Sequence, residues 1–171
     1  QQVRTFAGLW APALGAMTLV LISNNLGIMW VGMEATTLLT SFLVCVRITR
    51  SSLEATWKYM LICSVGIGFA FLGTMLLRLA AKDLPLDPNQ ALLWTNLLAN
   101  TANLAPALVK AAFIFVLVGY GTKAGLAPMH SWLPDAHSMA PAPVSAIFSG
   151  FMLNTALYCI LRYIPLVEGA L

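Results

Sequence analysis

Charge is what this sequence has least of. Nine lysines and arginines and six acids are spread over 171 residues, 9% of the chain, against 60% hydrophobic residues. A soluble domain carries about 25% charged and about 45–50% apolar residues. No arrangement of 171 residues hides that much apolar side chain from water, so lipid must solvate the outside. The net charge of +3 comes from residues scattered at segment ends, which argues against nucleic acid or an acidic partner. Cysteine is scarce as well. Cys45, Cys63 and Cys159 each lie in an apolar run, none in a metal-type spacing, and they read as small packing residues. A charged leader with a cleavage site is missing, and the first residue is Gln, so the chain reads as a fragment or a processed piece.

What is present is a series of apolar runs. A span of about 20 such residues crosses the hydrocarbon core, where lipid-facing irregular backbone is excluded. The expected architecture is all-α: a single polytopic membrane domain over residues 1–171 with about five spans. These are placed at about 7–23, 26–46, 53–78, 104–140 and 144–162. The fourth is expected to be broken near 122–128, and 81–103 to be a loop. "SNN" (23–25) and the basic "RITRSS" (47–52) separate the first three, with Ser52 before Leu53 and Glu54 as a helix-start signal. In "AKDLPLDPNQ" (81–90) two prolines stop the third helix, and Trp94 beyond it suits an interfacial position. Basic residues tie between the two faces: Arg4, Arg47, Arg50 and Lys58 on one, Arg78, Lys82, Lys110 and Arg162 on the other.

Two ionisable residues stand out by depth. Glu34 is the only charge of the second run. An ionisable group at the centre of a membrane helix costs about 2.5–3.5 kcal/mol on insertion scales. It persists when paired, hydrated or functional, so Glu34 is either a hydrogen-bonded structural carboxyl or a working one. Lys123 sits in "GYGTKAGLAP" (119–128), where three glycines weaken a helix and Pro128 removes a donor. Broken helices at membrane depth occur inside protein or beside water, and transporters build ion sites from their ends. If 129–140 forms a second half-helix, Lys123 lies near mid-depth close to Glu34; if the helix simply ends, Lys123 anchors at the interface. A buried amine and carboxylate whose separation or hydration changes form a pair able to take up and release a proton.

Other polar residues are weighed alongside. Lys58, one turn into its helix, either snorkels to the interface or takes part in proton movement. His130 and His137 are seven apart, roughly one helix face, which suits neither zinc nor bis-histidine haem. They serve as proton shuttles or as polar residues of the break. Asp135 caps or anchors the break, and Ser149 and Asn154 are the polar residues at depth in the last span.

"SNNLGIMWVGMEATTLLTSFLV" (23–44), "SLEATWKYMLICSVGI" (52–67) and "GYGTKAGLAPMHSWLPDAHSMAPAPVSAIFSG" (119–150) together resemble the antiporter-like membrane subunits. That family is shared by respiratory complex I, Mrp-type sodium/proton antiporters and energy-converting hydrogenases, and the wording is most similar to the hydrogenase-4 component F branch. The resemblance implies the first of two inverted five-helix repeats, with its fourth helix discontinuous and the 47–52 turn cytoplasmic. It implies a multi-pass subunit of a prokaryotic inner membrane that moves protons, or sodium, beside other membrane and hydrophilic subunits. It implies no redox cofactor in this chain. Glu34 and Lys123 fall on the family's charge pair, and Lys58 on its recurrent helix-start lysine. Complex I subunits carry a lysine or histidine in the last helix of the repeat, where this chain has Ser149 and Asn154. Water held by Asn154 is therefore the expected bridge. Glu34, Lys123, Lys58, His130, His137 and Asn154 form the expected proton-translocation set. The alternatives are a sodium/proton antiporter subunit and a scaffold without transport.

Overall fold

Two of the long helices start where a side chain satisfies amides that a helix leaves unbonded. The computed structural model describes residues 2–171. Helix α1 (Gln2–Ile22) ends at the polar "SNN". Asn25 then caps α2 (Leu26–Val44), its side chain accepting from Gly27 and Ile28 amides at 2.8 and 3.2 Å. Helix α3 (Arg50–Ala80) opens with a capping box, in which Thr49 and Ser52 bond each other's amides at 3.0 and 2.9 Å. Ser52 is thus the third residue of the helix, and Thr49 is the cap that the sequence reading passed over.

The segment after α3 folds back on the bundle. It contains the short α4 (Trp94–Ala99), and its backbone bridges the α1–α2 turn through Trp94 to Asn24 at 2.7 Å and Leu26 to Leu92 at 3.0 Å. Trp94 also donates from Nε1 to the Arg162 carbonyl at 2.7 Å. The Arg162 guanidinium stacks 4.4 Å from the Trp94 ring and bonds the Ser23 carbonyl at 2.9 Å. Trp94 is thereby a tether between the loop and the last helix.

Helix α5 (Pro106–Lys123) carries Pro106 in its first turn, where the missing amide costs nothing. Beyond the break lie α6 (Leu133–Met139) and α7 (Ala142–Ile147), the latter continuing through a π-helical turn (Phe148–Met152) into α8 (Leu153–Ala170). The described residues form an all-helical molecule without strands. Among the described residues four stretches are long and apolar enough to cross a membrane: Leu26–Val44, Arg50–Ala80, Pro106–Lys123 and Ala142–Ala170, and Phe6–Ile22 is a shorter apolar helix. Helix α3, at 31 residues, is about 46 Å long and exceeds the roughly 30 Å hydrocarbon core.

Close approach of α3 and α5 positions the site. Gly66, Ala70 and Gly73 form one face of α3 against Ala112, Val116 and Gly119 of α5. A Cβ on Gly73 would meet the Ala112 carbonyl at 2.7 Å, and one on Gly119 would collide with the backbone nitrogen of Ala70. Small residues at this spacing let membrane helices touch backbone to backbone, where dispersion rather than the hydrophobic effect drives association.

Candidate functional site

Helix α5 ends at Lys123 through one glycine, not three. Gly125 adopts φ +73°, a left-handed conformation open to glycine. The Leu126 amide bonds the Gly121 carbonyl at 2.9 Å and the Gly125 amide bonds the Thr122 carbonyl at 3.2 Å. This pair of bonds is a Schellman stop. Gly119 and Gly121 sit inside the helix, and Gly119 serves the α3 contact, so of the three glycines only Gly125 shapes the stop. Trp132, fully buried, donates from Nε1 to the Thr122 carbonyl at 2.9 Å. That carbonyl at the helix end is therefore already occupied and is not held open for an ion.

Lys123 is 0% exposed. Its ammonium donates to Thr37 Oγ1 at 2.9 Å and to Tyr59 Oη at 2.6 Å, and lies 4.7 Å from the centre of the Tyr59 ring. Thr37 comes from α2 and Tyr59 from α3, so three helices converge on one amine. The Tyr59 ring is itself clamped between Trp132 at 4.9 Å and Phe148 at 5.6 Å. The π-helical turn brings Phe148 and Met152 into this wall, with the Met152 sulfur 3.6 Å from Tyr59 Oη. The interfacial-anchor reading of Lys123 fails on this geometry.

The expected Glu34–Lys123 ion pair is not formed, and this corrects the sequence reading. Glu34 is half-buried and accepts from Ser64 Oγ of α3 at 3.1 Å through Oε1, while Oε2 is buried without a partner. Among the described residues the salt bridges all centre on Lys58. Two neutral hydroxyls have taken the amine's hydrogen bonds, and the carboxyl is turned toward α3. The acid still belongs to the same neighbourhood. Thr37, which holds the amine, lies three residues beyond Glu34 on α2, and such residues share a face with Cβ atoms about 5–6 Å apart.

Lys58 is exposed at the rim. Its ammonium pairs with Glu54 at 2.8 Å and with Asp135 at 2.9 Å, which ties α3 to α6. Ser51, Glu54, Lys58, Asp135 and Ser138 line a cleft of about 120 Å³ there. Tyr59, the next residue, faces inward, so rim and interior are held by adjacent positions of one helix.

Three expected residues fall elsewhere. His130 is exposed and precedes α6, so it shares no helix face with His137. His137 is half-buried, its Nδ1 2.6 Å from Ser145 Oγ and its ring edge-on to Phe148 at 5.7 Å. Asn154 is exposed and donates to the Gly150 carbonyl of its own helix at 3.0 Å. Ser149 likewise bonds back to the Ser145 carbonyl at 3.2 Å. The water bridge from Asn154 to Lys123 has no geometric support within this chain.

Sequence reasoning missed Thr37, Thr40 and Tyr59. The signal was present: "EATTLLTS" (34–41) puts hydroxyls one and two turns beyond a buried acid. A tyrosine following Lys58 in an otherwise apolar run asked for a buried partner.

Residues 23–171 match the transmembrane family described as NADH:quinone oxidoreductase/Mrp antiporter. A hydrogenase-4 component F homolog of Methylacidiphilum infernorum (isolate V4) is 47% identical over 161 residues, 94% of this chain and 34% of the relative. Hydrogenase-4 component B of Escherichia coli (strain K12) is 30% identical over 168 residues, 94% of this chain and 24% of the relative. Among solved structures, the membrane-bound sulfane sulfur reductase, an archaeal respiratory membrane complex, contains a similar chain. The two superpose with a TM-score of 0.80 at 25% identity, covering 89% of this chain and 30% of the other. The chain thus spans between 24% and 34% of the length of these relatives.

Proposed function

The chain belongs to the NADH:quinone oxidoreductase/Mrp antiporter transmembrane family, and on that footing we propose that it forms a proton half-channel centred on Lys123. The parent assembly is the membrane arm of a hydrogenase- or dehydrogenase-type oxidoreductase complex, whose hydrophilic subunits carry the redox chemistry. The observation that supports this reading best is a fully buried amine at the end of a broken helix, held by hydroxyls and an aromatic face.

An isolated ammonium in a low-dielectric interior loses several kcal/mol of hydration. Two hydrogen bonds from a charged donor return about 1.5–3 kcal/mol each. The cradle offsets the cost without an opposing charge, so the amine can hold a proton and still release it. Glu34 is the nearby charge that biases that exchange, and its Oε2 is buried without a hydrogen-bond partner. Lys58 and Asp135 frame the cleft between α3 and α6, and His137 stands next to the clamp as a proton shuttle. His130 and Asn154 are not assigned a step.

The test is Lys123→Ala in the full-length subunit within its complex, in inverted membrane vesicles. Coupled proton uptake, read with a pH-sensitive dye, should vanish while electron transfer through the complex continues. Unimpaired pumping would reject the role. Sodium-dependent proton exchange without any redox activity would instead indicate the antiporter branch.

A further inference from the structure

The hydroxyls around Lys123 have a direction imposed by a backbone carbonyl. Thr40 Oγ1 lies 2.6 Å from the Thr36 carbonyl, which only accepts, so the Thr40 proton is committed there. Thr40 Oγ1 is also 2.6 Å from Tyr59 Oη, and with its own proton spent it accepts from Tyr59. Tyr59 Oη then turns its lone pairs to Lys123 Nζ at 2.6 Å. The sequence of bonds Lys123, Tyr59, Thr40, Thr36 carbonyl runs one way, and all three side chains are 0% exposed.

We infer that Tyr59, oriented by Thr40, is the positioning residue that makes the docking of Lys123 depend on the charge of the amine. This rests on the proton-carrying role proposed above. An ammonium meets an oriented acceptor at Tyr59 and makes charge-assisted bonds to it and to Thr37 Oγ1. A neutral amine donates more weakly, and to accept from Tyr59 it must draw the phenol proton away from Thr40 Oγ1. Losing the proton therefore loosens the side chain from the cradle, and gaining it docks the side chain again. Thr40 exerts this control without touching Lys123. The aromatic clamp of Trp132 and Phe148 keeps the Tyr59 ring from turning its hydroxyl away.

Four variants of the intact complex in inverted vesicles test this: Tyr59→Phe, Thr40→Val, Thr40→Ser and Lys123→Ala. Tyr59→Phe keeps the ring and its stacking and removes only the oriented hydroxyl. It should lower proton uptake per electron by about tenfold, the effect of one charge-assisted hydrogen bond, with electron transfer and complex yield retained. Thr40→Val should reproduce that loss although its shape matches threonine, and Thr40→Ser, which restores the hydroxyl, should pump nearly as the parent does. If Tyr59→Phe pumps normally while Lys123→Ala does not, the inference falls and the proton role stands. Equal losses in Thr40→Val and Thr40→Ser would mean that shape rather than the hydroxyl matters, which also overturns it. Normal pumping by Lys123→Ala removes the proton role and the inference together. Should Tyr59→Phe fail to assemble, the Thr40 pair decides by itself.

Discussion

Two lysines near the break are treated in opposite ways, although one is Lys58 of α3 and the other is bonded to Tyr59, the next residue of that helix. Lys58, at the rim, has two carboxylates within 3 Å and is 46% exposed in its side chain. Lys123, in the interior, has hydroxyls and a ring and no carboxylate in contact. Water already stabilises the outer cation, so its ion pairs are screened and serve to pin α6 to α3. The inner one has no water to fall back on. An opposing carboxylate in direct contact would lock a buried ion pair that neither partner leaves cheaply. Neutral acceptors stabilise the charge while leaving it exchangeable, which is what a proton carrier requires.

That contrast is open to direct attack, and the largest expected effect comes first. Lys123→Met removes the inner charge at similar volume and should abolish coupled proton uptake, whereas Lys58→Met should leave more than half of it. Comparable losses in both would erase the distinction between interior and rim. Next in size is Gly119→Val, which drives a branched side chain into the α3 backbone and should cost about 3 kcal/mol or more. Reduced yield of assembled complex would be the readout, with Gly8→Val, at a position with open space around it, as the control. Glu34→Gln keeps the Ser64 contact but removes the charge, and should reduce pumping severalfold without affecting assembly. A Glu34→Gln complex that pumps normally would reduce Glu34 to a structural hydrogen-bond acceptor. Smallest of all, Asp135→Asn breaks one exposed ion pair and should leave the thermal midpoint of the complex within measurement scatter. Its predicted signature is faster proteolysis across the 124–132 connection, where α6 is less firmly held.

Much of this arrangement is legible in the sequence. The excess of apolar residues, the proline-rich stop at 81–90 and the glycine-containing break predicted a helical membrane chain with an interrupted fourth segment. Glu34 and Lys123 stood out because ionisable residues are costly at that depth. What was misjudged has a common cause. Periodicity says which residues share a face of one helix, but not which face of a neighbouring helix they meet. The histidines illustrate it, since α6 begins only at Leu133 and leaves His130 outside the helix on which the two were expected to align. Asn154 illustrates it again, polar at depth in the sequence yet turned outward and bonded to its own helix.

Hydropathy and backbone preference act within a few residues of themselves, so the sequence alone determined that this chain lives in lipid, that it is helical and that its fourth apolar segment is interrupted. Partner choice at Lys123 could come only from tertiary structure. The amine, Thr37 and Tyr59 lie on three helices, with 86 and 64 residues separating the bonded pairs. Their meeting is decided by the close contact of α3 with α5 and by the rings that wedge Tyr59 upright. A carboxylate three residues from the winning threonine lost that contest by less than a turn of helix, a margin set by side-chain packing and carried by no local pattern.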